Sequence, residues 1–402
     1  MIAILLSPLY LLLNFYILRW LIRWMGACHH HFKKKWPRIT VIALYIFVST
    51  SLLTAFFLPA GNLRRFMKLL SNYWLGTLLY IILTVIIADV IRMILRRSKK
   101  INQEKLRSRR TFVASGTACI IIIAALSIWG AVNAGVIRTT GYEVTVNKKA
   151  AGMDSLNVVL IADLHLGYNI GTPQMKQMVK KINRQNPDLV VIAGDIFDNE
   201  YDALDNPEKL ISTLKGIKSK YGVYACYGNH DIDEKILAGF TFSQKGKKKM
   251  SDLRMDEFLE KAGIRLLSDE YVLIDNSFYL YGRPDYERPG RGITARKTPK
   301  ELTAGLDQSK PILVIDHEPK ELQELADAGV DVDLCGHTHD GQMFPGNLTI
   351  KLLWENACGY LKKDDMHNIV TSGVGLFGPN MRVGTKSEIC PIKINFAGSS
   401  TP

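Results

Sequence analysis

The chain of 402 residues is long enough for two or three domains, is 47% hydrophobic and carries a formal net charge of +13. The charge is unevenly placed: residues 1–138 hold 19 Lys and Arg against two acids, Asp89 and Glu104, for +17, while residues 139–402 hold 32 against 36, for −4. Because the basic residues flank long apolar runs, they argue for a lipid bilayer as partner, and no nucleic acid is expected.

Four apolar stretches before residue 135 are long enough to span a bilayer, which takes about 20 apolar residues. They cover about 2–25, 39–60, 73–95 and 111–133. The first reaches Met25 if Arg19 and Arg23 extend to the interface. A signal peptide is its competing reading, but it has neither a positive start nor an obvious small-residue cleavage site. The loop between the first two spans carries Arg19, Arg23, Lys33, Lys34, Lys35 and Arg38. The loop between the third and fourth carries Arg96, Arg97, Lys99, Lys100, Lys105, Arg107, Arg109 and Arg110, and the middle loop only Arg64, Arg65 and Lys68. Positive loops stay in the cytoplasm, so the chain is expected to emerge outside after Asn133 as a multi-pass cell-membrane protein. Within the spans, Asn14 reads as an interior hydrogen bond and Asp89 as the ion-pair partner of Arg92, three residues on. His29-His30-His31 reads as part of a basic loop meeting anionic headgroups, with metal binding the alternative.

Residues 136–141 read as a short connector. Tyr142–Val146 alternates and reads as a half-buried strand, and 156–162 as a second. Residues 172–185 have helical spacing, with Thr172 as N-cap before Pro173. A strand at 188–193, a helix at 207–219 opened by Asn206-Pro207, and a strand at 223–227 follow. The segment from Asp231 to Leu253 ends in Lys245-Gly246-Lys247-Lys248-Lys249. It reads as a solvated loop, or as a cap whose lysines meet an anionic substrate. Further helices are expected at 256–263 and 318–328, and strands at 265–267, 271–281, 369–371 and 389–394. The loop 283–296 offers Arg283, Arg288, Arg291 and Arg296 for phosphate recognition, although each alone reads as a surface residue. Residues 343–361 read as a membrane-near or substrate-lining loop. The six cysteines have no metal spacing and read mostly as small buried hydrophobes, with a Cys358–Cys390 disulfide left open.

Five polar motifs each follow a short apolar run: Asp163-Leu164-His165, Gly194-Asp195-Ile196-Phe197-Asp198, Gly228-Asn229-His230-Asp231, His317 and Gly336-His337-Thr338-His339. Runs rich in Val and Ile read as strands buried on both faces. Strand ends are where α/β sheets place their chemistry. Carboxylates, imidazoles and one amide suit Zn, Mn or Fe, and their number suits two ions rather than one. Paired ions recur in phosphoryl chemistry, where they clamp the attacking oxygen and the phosphate.

In this order the motifs resemble the calcineurin-like metallophosphoesterase superfamily, and in particular its bacterial membrane-anchored members, over residues 142–396. The resemblance implies an α/β fold: a four-layer α/β/β/α sandwich over 142–398, here preceded by four transmembrane helices in 1–135. It implies two divalent metal ions (Mn, Zn or Fe). Asp163, His165 and His339 would hold one, Asn229, His317 and His337 the other, and Asp195 would bridge them. His230 would assist the leaving oxygen, oriented by Asp198. The chain departs from the frequent H-T-H-G-G-Q pattern by placing Asp340 after His339. The function expected is hydrolysis of a phosphate ester by in-line attack of a hydroxide bridging two metals. The membrane setting points to phosphodiesters of an envelope or lipid-linked substrate. The alternatives are a membrane phosphomonoesterase acting on phosphoproteins or nucleotides, and a non-enzymatic sensor or scaffold, against which the intact ligand set argues.

Overall fold

The computed structural model describes residues 2–234, 236–237, 240–241 and 250–397. The lysine-rich segment 245–249 lies outside the described residues. The chain divides into two units: residues 1–132 with Ile236–Phe242 and Gly378–Met381, and Asn133–Lys235 with Ser243–Phe377 and Arg382–Pro402.

The first unit is built on long apolar helices, Ile2–Cys28, Lys35–Phe57, Asn62–Arg97 and Arg109–Ala134, with a short helix Gln103–Arg107 in the basic loop. Three of them, Lys35–Phe57, Asn62–Arg97 and Arg109–Ala134, are long and apolar enough to cross a membrane. Many large apolar side chains point outward; Leu12 is 68% exposed, Phe57 79% and Ile128 65%. The inner seam combines buried apolar residues, Ile17, Trp74 and Leu78, with neutral hydrogen bonds. The Tyr10 hydroxyl donates to Ser49 O at 2.6 Å, Trp74 Nε1 donates to that hydroxyl at 2.9 Å, and Tyr45 donates to Asn14 Oδ1 at 2.9 Å. Asn14 is therefore an interior hydrogen-bonding residue. Asp89 is not paired with Arg92; it accepts from the Tyr16 hydroxyl at 3.0 Å. At Gly116 a Cβ would lie 2.2 Å from Trp24 Cδ1, so two helices approach where no side chain fits. The helix Asn62–Arg97 runs 36 residues, well beyond the expected 73–95. Its length of about 54 Å exceeds a hydrocarbon core of about 30 Å.

The second unit holds two sheets. In the seven-stranded sheet the order is Ile137–Thr139, Ser387–Phe396, Ser155–Ile161, Leu189–Ala193, Val223–Cys226 and Ile264–Leu266, with Tyr142–Val146 also pairing with Ser387–Phe396. In the six-stranded sheet it is Gly359–Lys363, Met366–Val370, Val332–Cys335, Ile312–Ile315, Phe278–Gly282 and Glu270–Ile274. The expected connector is thus part of the sheet: Ile137–Thr139 pairs in parallel with Ser387–Ile389. Three residues with one buried side chain show no alternation, and the partner strand arrives 250 residues later in the chain, so no local pattern marked it.

Alternate residues of the central strands go to different cores. Val158, Leu160 and Val191 join Leu313, Ile315, Leu334 and Ile369 from the other sheet. Val159, Ile161, Val190 and Ile192 pack against Met175, Ile182, Leu210 and Phe258 from the helices Thr172–Asn183, Pro207–Leu214 and Leu253–Lys261. Ile312 and Val314 pack against Leu302, Leu322 and Leu325. Both faces are dry, which explains the unbroken apolar runs. Thr172 proves to be the first helical residue after Gly171 at the N-cap. The expected helices 207–219 and 318–328 shorten to Pro207–Leu214 and Leu322–Asp327. The stretch 271–281 is a hairpin of two strands. All six cysteines are free, which removes the Cys358–Cys390 disulfide.

Candidate metal centre

The parallel strands of both sheets run toward one place. Ser155–Ile161, Leu189–Ala193 and Val223–Cys226 deliver Asp163 with His165, Asp195 and Asn229; Ile312–Ile315 and Val332–Cys335 deliver His317, and His337 with His339. The strand ends are tied together before they diverge. Asp163 N donates to Gly194 O, and His165 N to Asp195 O, each at 3.0 Å. Five of these residues leave their strands in the left-handed region: Asp163 (φ 54°), His165 (44°), Asp195 (49°), His337 (73°) and His339 (51°). Non-glycine residues rarely adopt that conformation, and where they do the surroundings compel it, as at functional sites. The glycines of the motifs serve mainly close approach. A Cβ at Gly228 would sit 2.3 Å from Asp195 Oδ1, and one at Gly336 would sit 2.4 Å from the Ala162 Cβ.

All seven residues expected to bind metal converge. Asp163, His165 and His339 form one group of facing donor atoms; Asp195, His317 and His337 form a second. His165 Nε2 lies 3.1 Å from His339 Nε2, and His339 Nε2 lies 3.7 Å from Asp163 Oδ1. On the other side Asn229 Oδ1 lies 3.1 Å from His317 Nε2 and 3.0 Å from His337 Nδ1. Asp195 Oδ2 stands between, 3.2 Å from His317 Nε2 and 3.7 Å from His165 Nε2. The His317 Nδ1 faces Ala193 O at 2.8 Å, which fixes that nitrogen as N–H and turns Nε2 inward.

Charge follows from this crowding. Burial raises the Asp163 pKa, and the neighbouring Asp195 adds to the rise. Burial opposes ionisation of Asp195 too, but the imidazoles of His317 and His230 prevail and hold it well below the carboxylate range. His317 is driven up by Asp195 against its own burial. Burial and the charge on His317 push His337 down to about 3, and burial with His165 and Arg382 keeps His339 well below the usual imidazole value. Two neutral imidazoles thus offer lone pairs beside buried carboxylates. That donor set, with nitrogen facing nitrogen at 3.1 Å, fits cations rather than a hydrogen-bonded polar core.

The two residues expected to assist the leaving group are arranged differently from the sequence reading. His230 Nδ1 meets Asn199 Oδ1 at 2.5 Å, while Asp198 lies within 4.8 Å of ring nitrogens of both His230 and His165. Its Oδ1 stands 3.7 Å from His165 Nδ1. Asn199 Nδ2 donates to Ile232 O at 2.9 Å, so its carbonyl oxygen must face the ring and His230 Nδ1 must carry the proton. Asp198 and Asn199 are adjacent and both polar, and nothing local in Phe197-Asp198-Asn199 says which turns to which histidine. Asp231, fully buried, accepts from Gly228 N at 2.7 Å and Phe197 N at 2.8 Å, locking the third motif to the second. Phe377 covers His230 at 4.5 Å between ring centres, and buried Arg382 donates to Ser372 O, Gly375 O and His339 O. No motif pointed to Phe377 or Arg382, which come from a glycine-rich segment near the end of the chain. Asp340 is half-buried, and burial raises its pKa.

The arginines of 283–296 divide. Buried Arg283 and the enclosed side chain of Arg296 both grip Asp316 and Glu321, at 2.7 to 2.8 Å, as structural ion pairs. Arg288 pairs with Glu234 and donates to Asn229 O at 3.2 Å, beside the site. Arg291 is a surface residue, as expected, and pairs with Asp256.

Residues 156–341 match the calcineurin-like phosphoesterase family. This stretch is a calcineurin-like metallophosphoesterase domain, a phosphoester hydrolase domain of mixed α/β fold. A zebrafish (Danio rerio) transmembrane protein with metallophosphoesterase domain is 28% identical over 90% of this chain and 80% of its own length. An uncharacterised metallophosphoesterase of Campylobacter jejuni is 29% identical over 67% of each. A transmembrane protein with metallophosphoesterase domain from Bos taurus is 27% identical over 69% of this chain and 62% of its own length.

Proposed function

We propose that the protein is a membrane-anchored phosphoesterase whose site takes two divalent cations. Asp163, His165 and His339 would hold one, and Asn229, His317 and His337 the other, with Asp195 shared. The observation that carries this is the meeting of donors around Asp195 Oδ2, 3.2 Å from His317 Nε2 and 3.7 Å from His165 Nε2. Bound there, the cations would supply Lewis acidity, lowering the pKa of water and neutralising phosphate charge. The chain's own groups do the rest. Ala193 O behind His317 sets which of its nitrogens faces inward, and the Asp198 carboxylate, 3.7 Å from His165 Nδ1, favours positive charge on that ring. Burial pulls the His230 pKa down to about 4, and Asn199 Oδ1 accepts from Nδ1–H, leaving Nε2 for the reacting oxygen. An anionic phosphate beside the ring raises that pKa, so the imidazole acquires the proton it passes to the departing alkoxide. Phe377 closes the site over His230 against water.

The finer reading is of four membrane-spanning helices, two basic loops in the cytoplasm, and a four-layer α/β/β/α domain acting outside the membrane. Its substrate class is a phosphodiester of an envelope or lipid-linked molecule. What supports it is the pattern of loop charge and the outward apolar faces of the helices. The test uses the full chain in nanodiscs, stripped of metal and given back Mn or Zn. Bis-p-nitrophenyl phosphate and p-nitrophenyl phosphate are compared, with Asn229→Ala and His230→Ala alongside. Metal-dependent turnover lost in both variants is the expected result, with the diester preferred. Turnover that ignores metal, or survives Asn229→Ala, would sink the reading; a preference for the monoester would overturn only the diester assignment.

A further inference from the structure

The segment after His339 leaves the site and returns to it at Trp354, whose ring lies 5.1 Å from His337 between centres. Between them the chain makes a short helix, Gly346–Thr349, and a tight turn, Ile350–Leu352. Its base is rigid. A Cβ at Gly346 would meet Gly341 O at 2.5 Å, so residues 341 and 346 touch backbone to backbone at the start of the loop. Phe344 N donates to Val383 O at 2.8 Å, and the Gln342 side chain is bonded at both ends to Phe377. On this fixed base four large apolar side chains face out: Phe344 at 45% exposure, Leu348 at 56%, Leu352 at 84% and Leu353 at 76%. Lys351 is exposed among them. Most leucines of the domain are buried, and exposed ones such as Leu253 and Leu273 stand singly, whereas these four lie within ten residues of one another.

We propose that this loop is a lipid-binding lip: Phe344, Leu348, Leu352 and Leu353 enter the bilayer surface, Lys351 meets anionic headgroups, and the loop presents a membrane-embedded phosphate ester to the metal centre. The last part rests on the phosphoesterase reading above; the insertion itself does not. Two observations select a bilayer as the occupant. The same chain carries helices long and apolar enough to cross one. Apolar side chains around a cation at a rigid tip are the composition of interfacial anchors. The lip also ends on Trp354, which touches both the His337 ring and the Lys320 ammonium, 5.5 Å from its ring centre. A lipid gripped by the leucines therefore has its phosphate near a metal ligand and a cation.

The experiment places an environment-sensitive fluorescent amino acid at position 352 of the full-length chain, in nanodiscs of phosphatidylcholine and phosphatidylglycerol. A matched sample carries it at position 273, where Leu273 is 40% exposed on a sheet edge. Acyl-brominated lipids should quench position 352 several-fold more than position 273. Equal quenching at both, or none at 352, overturns the proposal. In parallel, Leu352→Ser with Leu353→Ser should cut turnover of a phosphate ester carried on a bilayer lipid about tenfold and leave turnover of p-nitrophenyl esters in solution unchanged. An equal effect on both substrates, or on neither, removes the presenting role. Loss of metal-dependent turnover of the soluble esters in the unsubstituted chain would instead defeat the phosphoesterase reading, and leaves the quenching result to stand or fall by itself.

Discussion

The helical unit and the α/β unit bury opposite things. In the helices the large apolar side chains face outward and the interior is laced by neutral hydrogen bonds among Tyr10, Asn14, Tyr45 and Trp74. In the α/β unit the apolar side chains are inside, and so are many charges: Asp163, Asp195, Asp231, Asp285, Asp316, Arg283 and Arg382 are all below 2% exposed. The difference teaches that each unit was shaped by its surroundings. Against lipid, exposed leucine costs nothing and an unpaired charge is expensive. Against water, leucine goes inside, and a buried charge persists only where it has a partner or a task.

Substitutions at matched buried polar sites break or sharpen that contrast. The largest effect belongs to Asp195→Asn, which removes the shared donor. Metal-dependent kcat/KM should fall by about three orders of magnitude, the scale of removing a preorganised electrostatic group. Metal content by elemental analysis should fall with it, while the circular dichroism of the helices stays put. Next comes Arg283→Met, which leaves Asp316 and Glu321 short of a buried partner. The α/β unit should lose about 3–5 kcal/mol, read as a lower thermal midpoint for its tryptophan and near-ultraviolet signals. A shift below about 1 kcal/mol would show that Arg296 alone satisfies both acids.

Asp198→Ala and Asn199→Ala then separate two adjacent residues with different partners. Removing the group behind His165 should weaken metal affinity about 10–100-fold. Removing the group behind His230 should lower kcat by about 10–100-fold with metal content unchanged. The reverse pattern would restore the pairing of Asp198 with His230 expected from sequence. In the helices, Asn14→Leu should cost only about 0.6–2 kcal/mol in a nanodisc unfolding series, because an interhelical hydrogen bond is modest in lipid.

The smallest effect concerns pH. Burial raises the Glu321 pKa, but Arg283 and Arg296 outweigh it and hold the carboxyl below its ordinary 4.5. A depressed acid contributes stability above its unfolded value and loses it as pH falls through the folded value. The urea midpoint of the α/β unit should therefore drop below about pH 4.5, and drop less steeply in Glu321→Gln. Identical profiles for the two would show that Glu321 does not carry the acid sensitivity.

Much of the site was legible because each ligand type needs particular atoms at a strand end. Asp163, His165, Asp195, Asn229, His317, His337 and His339 announce themselves by chemistry and by the apolar run before each one. Three of the four expected apolar stretches lie in helices long and apolar enough to cross a membrane, a property of length and composition along the chain. What could not be read locally depends on chain segments far apart in sequence. Ile137–Thr139 becomes a strand only when Ser387–Phe396 arrives beside it. Arg283 and Arg296 look like surface cations until Asp316 and Glu321 enclose them. The assignments of Asp198 to His165 and Asn199 to His230 were decided by the direction each side chain takes from a turn, and Phe377 and Arg382 join the site from a segment with no motif. The sequence by itself determined which atoms are available and where strands and spans run, because composition and periodicity are local properties. Only the tertiary structure decided which atom faces which, because partner, tautomer and charge are set by neighbours brought together in folding.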